Sequence, residues 1–306
     1  MKPLKVGMIG LGSIAQKAYL PILTKESEWS LVGAYSPTSA KRRKVCRAYR
    51  IHDYSSIKDL INDCDAVFVH SSTESHFEVV ADCLNRGVDV YVDKPLAATW
   101  DESERLVERS ERLGRKLMVG FNRRFAPFYV QAKNQANDAV IIRIDKHRIQ
   151  QSGQPFKVTL LDDYIHLVDT ALWFAETTKP STVGTVHVND QKQLVFARHS
   201  FSEDHKIVTT AMHREAGTHL EQVEVLKSGQ VIRVKNLDTL ETEKDGRLTI
   251  EYPDAWQTIL KRRGFHDAVH HFVDSVKGDT PPIIDGREGI KAQRVIEEII
   301  RQYQSG

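Results

Sequence analysis

The 306-residue chain carries 43 Lys and Arg against 41 Asp and Glu, a formal net charge of +2, so it lacks the strong field that gathers nucleic acid or an anionic membrane. With 41% hydrophobic and 27% charged residues it has the make-up of a folded globule, and 17 Gly and 10 Pro exclude a collagenous or low-complexity architecture. At about 150 residues per domain, the length suits two domains.

The first third alternates short apolar runs with helical patterns. Strands are expected at Leu4 to Ile9, Leu31 to Tyr35, Ala66 to His70, Val88 to Val92 and Lys116 to Val119, with a weak segment at Ile51 to Tyr54. Helices are expected over Ser13 to Lys25, Thr38 to Tyr49, Ser56 to Ile61, Ser75 to Asn85 and Thr99 to Leu113. This alternation implies an α/β domain, a parallel sheet with helices on both faces, because parallel crossovers need a dozen or more residues. From Val140 to Ile250 strand-like runs dominate: 140–144, 182–188, 194–199, 207–212, 222–226 and 231–234, with one helix near Asp162 to Ala175. That pattern implies an α+β second domain on a mainly antiparallel sheet. Two amphipathic helices, Ala255 to Val276 and Arg287 to Gln302, close the chain. The division expected is residues 1–122 and 123–306, with the helix at about 286–304 packing back on the first domain.

Three scattered Cys (Cys46, Cys64 and Cys83) show no CxxC spacing and read as thiols in a reducing, cytoplasmic setting. Gly7, Gly10 and Gly12 interrupt the apolar run near the N-terminus, which argues against a signal peptide. No stretch approaches the roughly 18 apolar residues of a membrane span.

The segment Gly10-Leu11-Gly12-Ser13-Ile14-Ala15 is a GxGxxA pattern between a strand and a helix. Gly10 suits the tight turn, Gly12 leaves room for a pyrophosphate, Ala15 lets the helix pack on the sheet, and the helix N-terminus faces the phosphates. The alternative is an ordinary Gly-rich turn. An acidic residue ending the second strand would favour NAD(H). Here that strand ends in Tyr35-Ser36-Pro37-Thr38, followed by Lys41-Arg42-Arg43-Lys44. NADP(H) is favoured, with Ser36, Thr38 and Lys41 or Arg42 on the 2′-phosphate. The same basic run could be a solvated helix face.

Ligands of open α/β sheets bind outside the carboxyl ends of the strands. Those ends carry Ser71-Ser72-Thr73 with His76 on the helix beyond, Asp93-Lys94-Pro95 and Gly120-Phe121-Asn122-Arg123-Arg124. Lys94, held before Pro95, could stabilise alkoxide character at a reacting oxygen, or could be a surface lysine beside a turn. On a helix, Asp162, His166 and Asp169 share one face. His166 suits acid/base work near neutral pH, whereas a hard-cation site or a helix cap with a buried His are the rivals. His266, His270 and His271 lie on an amphipathic helix and read as structural. Arg123, Arg124, Lys146, His147 and Arg148 hint at an anionic substrate, or form ion pairs.

Together, Gly10 to Ala15, Asp93-Lys94-Pro95, Gly120 to Phe125 and Asp162…His166…Asp169 resemble the glucose–fructose oxidoreductase / inositol dehydrogenase / rhizopine catabolism (Gfo/Idh/MocA) family, essentially end to end. The resemblance implies a Rossmann domain joined to an open-faced sheet that mediates homodimers or homotetramers. It implies hydride exchange between a nicotinamide cofactor and a sugar, polyol or carbonyl compound. It also implies a catalytic group of Lys94, Asp162 and His166, and no metal. Asp93 replaces the family's usual Glu, and Tyr164 replaces a usual Gly, placing a ring beside the catalytic helix; Lys94, Arg123, Tyr164 and His166 are the expected substrate contacts. The alternative function is a non-catalytic NADP(H)-binding sensor or scaffold acting through a protein partner.

Overall fold

Runs of buried Val, Ile, Phe and Met with no polar alternation build the first sheet, as strands covered on both faces require. A computed structural model describes residues 2–25, 28–176, 181–203 and 206–305. The chain divides into two units, 1–121 with 265–290 and 122–264 with 291–306.

In the first unit β1 (Leu4–Ile9) leads through a π-helical turn (Ala15–Tyr19) into α1 (Leu20–Leu23). Then follow β2 (Trp29–Tyr35), α2 (Ser39–Tyr49), β3 (His52–Asp53), α3 (Ile57–Asn62) and β4 (Ala66–Val69). After them come α4 (Thr73–Asn85), β5 (Asp89–Val92), α5 (Trp100–Leu113) and β6 (Leu117–Val119). The strand order is β3-β2-β1-β4-β5-β6 with every pairing parallel. Direction reverses between β1 and β4, the crevice where such sheets receive dinucleotides. A capping box starts α5: Thr99 accepts from the Glu102 amide while the Glu102 side chain accepts from the Thr99 amide.

The second unit opens with a 3-10 turn (Asn122–Phe125), α6 (Pro127–Asn134) and β7 (Ala139–His147). Next come α7 (Phe156–Thr159), a π-helical turn (Leu160–Tyr164) and α8 (Ile165–Ala175). The strands β8 (Ser181–Val188), β9 (Leu194–Glu203), β10 (Lys206–His213), β11 (Leu220–Lys227), β12 (Gln230–Lys235), β13 (Thr239–Lys244) and β14 (Arg247–Glu251) follow, then α9 (Ile259–Arg262). Their order is β14-β13-β12-β11-β7-β10-β9-β8, antiparallel except for the β7–β10 pair. Alternate residues Ile142, Ile144, Val208, Thr210, His199 and Phe201 are buried on the face that α8 covers. On the other face one register row runs Val183, Ser200, Thr209, Arg143, Glu224, Arg233, Glu241, Ile250 across all eight strands.

α10 (Phe265–Lys277) belongs to the first unit, and α11 (Gly286–Ser305) begins there. A Cβ on Gly289 would lie 2.4 Å from Val119 Cγ2, so only glycine lets that helix start sit directly on β6. The expected helix from Ala255 is instead the short α9 and, after Gly264 at φ +78°, α10. Gly264 is forced: a Cβ there would meet the Asn122 carbonyl at 2.1 Å. Strands β13 and β14, and helix α6, are further than the sequence reading reached. Among the described residues no helix is long and apolar enough to cross a membrane.

Candidate active site

The Gly10 turn is built by exclusion. Gly10 has φ +91°, its N–H donates to the Tyr35 carbonyl at 2.9 Å, and a Cβ would lie 2.4 Å from the backbone of His70 and Ser71. Only glycine fits. At Gly12 the crowding is gone: the one atom a Cβ would meet is the His70 carbonyl oxygen, at an ordinary 3.8 Å. Ser13 is exposed and Ile14 half-buried at the helix start, while Ala15 is fully buried against the sheet. A helix start at such a turn suits a phosphate, which its backbone amides can receive.

His70 closes this turn from beneath, a residue that sequence reasoning placed only as a strand end. Its ring stacks on Tyr19 with centroids 3.8 Å apart, and neither ring nitrogen has a hydrogen-bond partner among the described residues. Burial pushes its pKa down to about 3, and burial likewise lowers His199 to about 4. Both bind a proton far more readily unfolded, so stability is fully present above the unfolded pKa near 6.5 and falls as pH drops below it. Between pH 7.5 and 5 each is expected to remove about 2 kcal/mol. Urea denaturation at the two pH values checks this: His70→Leu should flatten the dependence by that amount, and an unchanged dependence would contradict the assignment.

Beyond β2 the structure divides the expected phosphate ligands. Arg42 is buried, donating Nη1 to the Ser36 carbonyl at 2.9 Å and Nε to Asp53. Its guanidinium thus ties the β2 turn to β3, and Ser36 is itself buried. Thr38 and Lys41 are exposed, and Thr38 makes no side-chain cap bond to α2.

At the ends of β4 and β5, Ser71 is half-buried and accepts from Ser75 at 2.8 Å, while Ser72 is exposed and Thr73 half-buried. His76 is buried between two carbonyls, Pro95 at 2.9 Å and Ser71 at 3.2 Å, and so links the two loops. The half-buried Lys94 donates its backbone N–H to the Asp93 side chain at 2.9 Å, and the Lys94–Pro95 bond is cis. Gly10, Gly12, Ser71, His76, Asp93 and Lys94 thus all lie at the carboxyl edge of one sheet.

Asn122 belongs to the second unit, where its amide donates to the Arg263 carbonyl at 2.7 Å. In that unit Asp162 is exposed on the π-helical turn and His166 follows, buried, on α8. Asp169, one turn beyond His166 on α8, is 1% exposed and takes a forked Arg124 guanidinium at 2.7–3.1 Å. The π-helical turn ends at Tyr164, so His166 and Asp169 keep regular i, i+3 helical spacing on α8. Tyr164 is fully buried, its hydroxyl 2.7 Å from His199 Nδ1 and 2.6 Å from Thr210 Oγ1, so its ring anchors the turn to the sheet.

Behind Asp162 lies a charge cluster whose carboxylates the sequence reading missed. Arg123 forks onto Glu221 at 2.5 and 3.1 Å. Lys146, 1% exposed, reaches Asp163 at 2.5 Å and Glu221 at 3.5 Å, and Arg214 takes the other Asp163 oxygen at 2.5 Å. Burial pushes the Asp163 carboxyl up, but Lys146, Arg148 and Arg214 outweigh it and hold the group at about 2. Glu221 is likewise lowered, burial losing to Arg123 and Lys146. The partners lie 15 to 98 residues apart in sequence, beyond the reach of local patterning.

A doubly wound dinucleotide-binding sheet with Lys94 at a strand end, followed by a unit carrying an Asp–His helix, defines a nucleotide-dependent oxidoreductase. Residues 4–121 match the model of the oxidoreductase family with NAD-binding Rossmann fold, and 127–245 match that of the YceM-like C-terminal domain. The chain belongs to the Gfo/Idh/MocA oxidoreductase family. It is 43% identical to the Salmonella typhimurium protein named "Putative oxidoreductase YceM", with 98% of each chain covered. It is 48% identical to the crystal structure of the dehydrogenase MviM from Clostridium difficile, with a TM-score of 0.95 and 98% and 99% of the two chains covered. Inositol 2-dehydrogenase/D-chiro-inositol 3-dehydrogenase of Lactiplantibacillus plantarum is 27% identical over 67% of this chain and 60% of its own.

Proposed function

We propose that the protein exchanges hydride between NADP(H) and a small polyhydroxylated or carbonyl substrate. The observation that carries this reading is the contrast at the turn, where Gly10 is compelled by its neighbours while a Cβ at Gly12 would make only an ordinary 3.8 Å contact with the His70 carbonyl. That turn fits a pyrophosphate, held by the turn amides and by Ser13 and Ile14. Ser71, Ser72 and Thr73 would line the nearby sheet edge, and His76 would fix the loop of Asp93 and Lys94. A nicotinamide ring, when bound, supplies or accepts the hydride. Lys94 steadies charge on the reacting oxygen, His166 takes or returns the hydroxyl proton, and Asp162 orients the substrate. The inositol dehydrogenase relative supports a polyol-type substrate.

NADP(H) is preferred in this reading because no carboxylate ends β2, while Thr38 and Lys41 stand exposed at the start of α2. NADPH is expected to bind at least about tenfold more tightly than NADH, and Lys41→Ala to raise only the NADPH Kd. Titration of cofactor fluorescence checks this, and equal affinities or tighter NADH binding would refute the preference. Screening sugars, polyols and aldehydes at the NADPH absorbance band tests the reaction itself. Ligands that perturb NADPH fluorescence without consuming it would instead indicate a sensor.

The outer face of the second sheet supports a homodimer or homotetramer. Ile207, Leu248 and Ile250 leave apolar side chains there at 42–54% exposure, flanking the ion pairs of Arg143 and Arg233 with Glu224.

A further inference from the structure

The buried charges next to Asp162 do not balance. Arg123, Lys146, Arg148 and Arg214 gather on two carboxylates, Asp163 and Glu221, and no side chain of the six is more than 24% exposed. Glu221 is occupied by the Arg123 fork and Asp163 by Lys146 and Arg214. The Arg148 Nε stands 4.0 Å from Asp163, outside hydrogen-bond reach, its charge acts on Glu221 only through space, and among the described residues its guanidinium makes one long 3.4 Å bond, from Nη1 to the His147 carbonyl. Glu215, the next carboxylate in this loop, accepts from Ser152 instead. A surplus of positive charge withdrawn from water is costly unless an anion completes the set.

The surplus is also held in place. The Arg148 amide donates to the His213 carbonyl, the Ala216 amide to the Arg148 carbonyl and the Gln151 amide to the Arg214 carbonyl, each at 2.8 Å. The Arg214 Nε donates to the Gln151 carbonyl, also at 2.8 Å. Two guanidinium-bearing segments are thereby locked side by side, one residue along the chain from Asp162 through Asp163.

We propose that Arg148, backed by Arg214, binds an anionic group carried by the substrate, a phosphate or a carboxylate, so that the substrate is an acidic or phosphorylated polyhydroxy compound rather than a neutral polyol. This deepens the oxidoreductase reading and rests on it for the word substrate, although the anion site stands on its own geometry. A guanidinium fork suits either oxyanion through paired N–H donors.

The test reads binding, so it succeeds or fails independently of turnover. With NADP⁺ saturating to fill the phosphate site proposed for the first unit, the full-length protein is melted in inorganic phosphate or acetate against chloride at matched ionic strength. Wild type should gain roughly 2 °C or more from one of the two anions, and Arg148→Gln should lose most of that gain. Arg148→Lys, which keeps the charge but not the fork, should recover part of it. Repeating the melts with glucose 6-phosphate, glucuronate and glucose separates phosphate from carboxylate recognition, and neutral glucose should give the smallest shift. No gain over chloride, or a gain that Arg148→Gln retains, overturns the proposal. A gain lost in Arg148→Gln while no compound supports NADPH turnover would uphold the anion site and sink the oxidoreductase reading.

Discussion

Lys94→Ala and His166→Ala are each expected to lower turnover by about 10²-fold or more while leaving NADPH affinity within about twofold. The separation follows from where the two residues lie. The loop of Lys94 is held by its backbone N–H to Asp93 and by the His76 bond to Pro95, and Lys94→Ala removes neither. His166 belongs to the second unit, and the Gly10 turn to the first. Its carbonyl accepts from Thr170 at 2.7 Å and survives the substitution. Steady-state rates with any substrate found by screening, beside fluorescence titration of NADPH, check the prediction. Persistent turnover in both variants would remove the catalytic assignment.

The second large effect contrasts two glycines. Gly10→Ala drives a methyl into the His70 and Ser71 backbone at 2.4 Å and forces a left-handed conformation on alanine, so several kcal/mol of stability and all measurable cofactor binding should be lost. Gly12→Ala meets nothing nearer than 3.8 Å. It should therefore melt within about 1 °C of wild type yet raise the NADPH Kd tenfold or more, because its methyl occupies the path of the pyrophosphate. Thermal melts and titrations on the two variants decide the matter. A Gly12→Ala protein with unaltered affinity would place the dinucleotide elsewhere.

The parallel sheet was readable because most of its strands are short, largely apolar runs, such as Ala66–Val69 and Leu117–Val119, that end in glycine or polar residues. Local chemistry carries that information, from Gly10 to the Thr99–Glu102 box. The last hairpin was harder. Thr239–Lys244 and Arg247–Glu251 mix charge with threonine, β13 buries only Leu240 and every residue of β14 is exposed, so no alternating apolar face marks them. Only the Asp245-Gly246 turn, with φ of +51° and +71°, betrays the hairpin. Arg42 looked like a phosphate ligand because Asp53, its partner eleven residues on, leaves no trace in the pattern of α2. Arg123 and Lys146 were singled out as cations, but pairing with Glu221 and Asp163 is a property of the folded sheet. The roles of Lys94, Asp162 and His166 follow from resemblance more than from geometry within either unit.

The widened turn at Leu160–Tyr164 has a consequence for how this chain tolerates change in length. Ile165 donates its N–H to the Leu160 carbonyl, five residues back, so the turn holds one residue more than a regular helix would. Deleting any one of those five would yield smoother helical geometry, yet would swing everything upstream by about 100° around the axis. Tyr164 or its replacement would lose its seat beneath the sheet, and the two neighbouring aspartates would trade places between solvent and the lysine–arginine cluster. The irregularity acts as a frame marker: it assigns Asp162 outward and Asp163 inward, a distinction that composition alone leaves undecided.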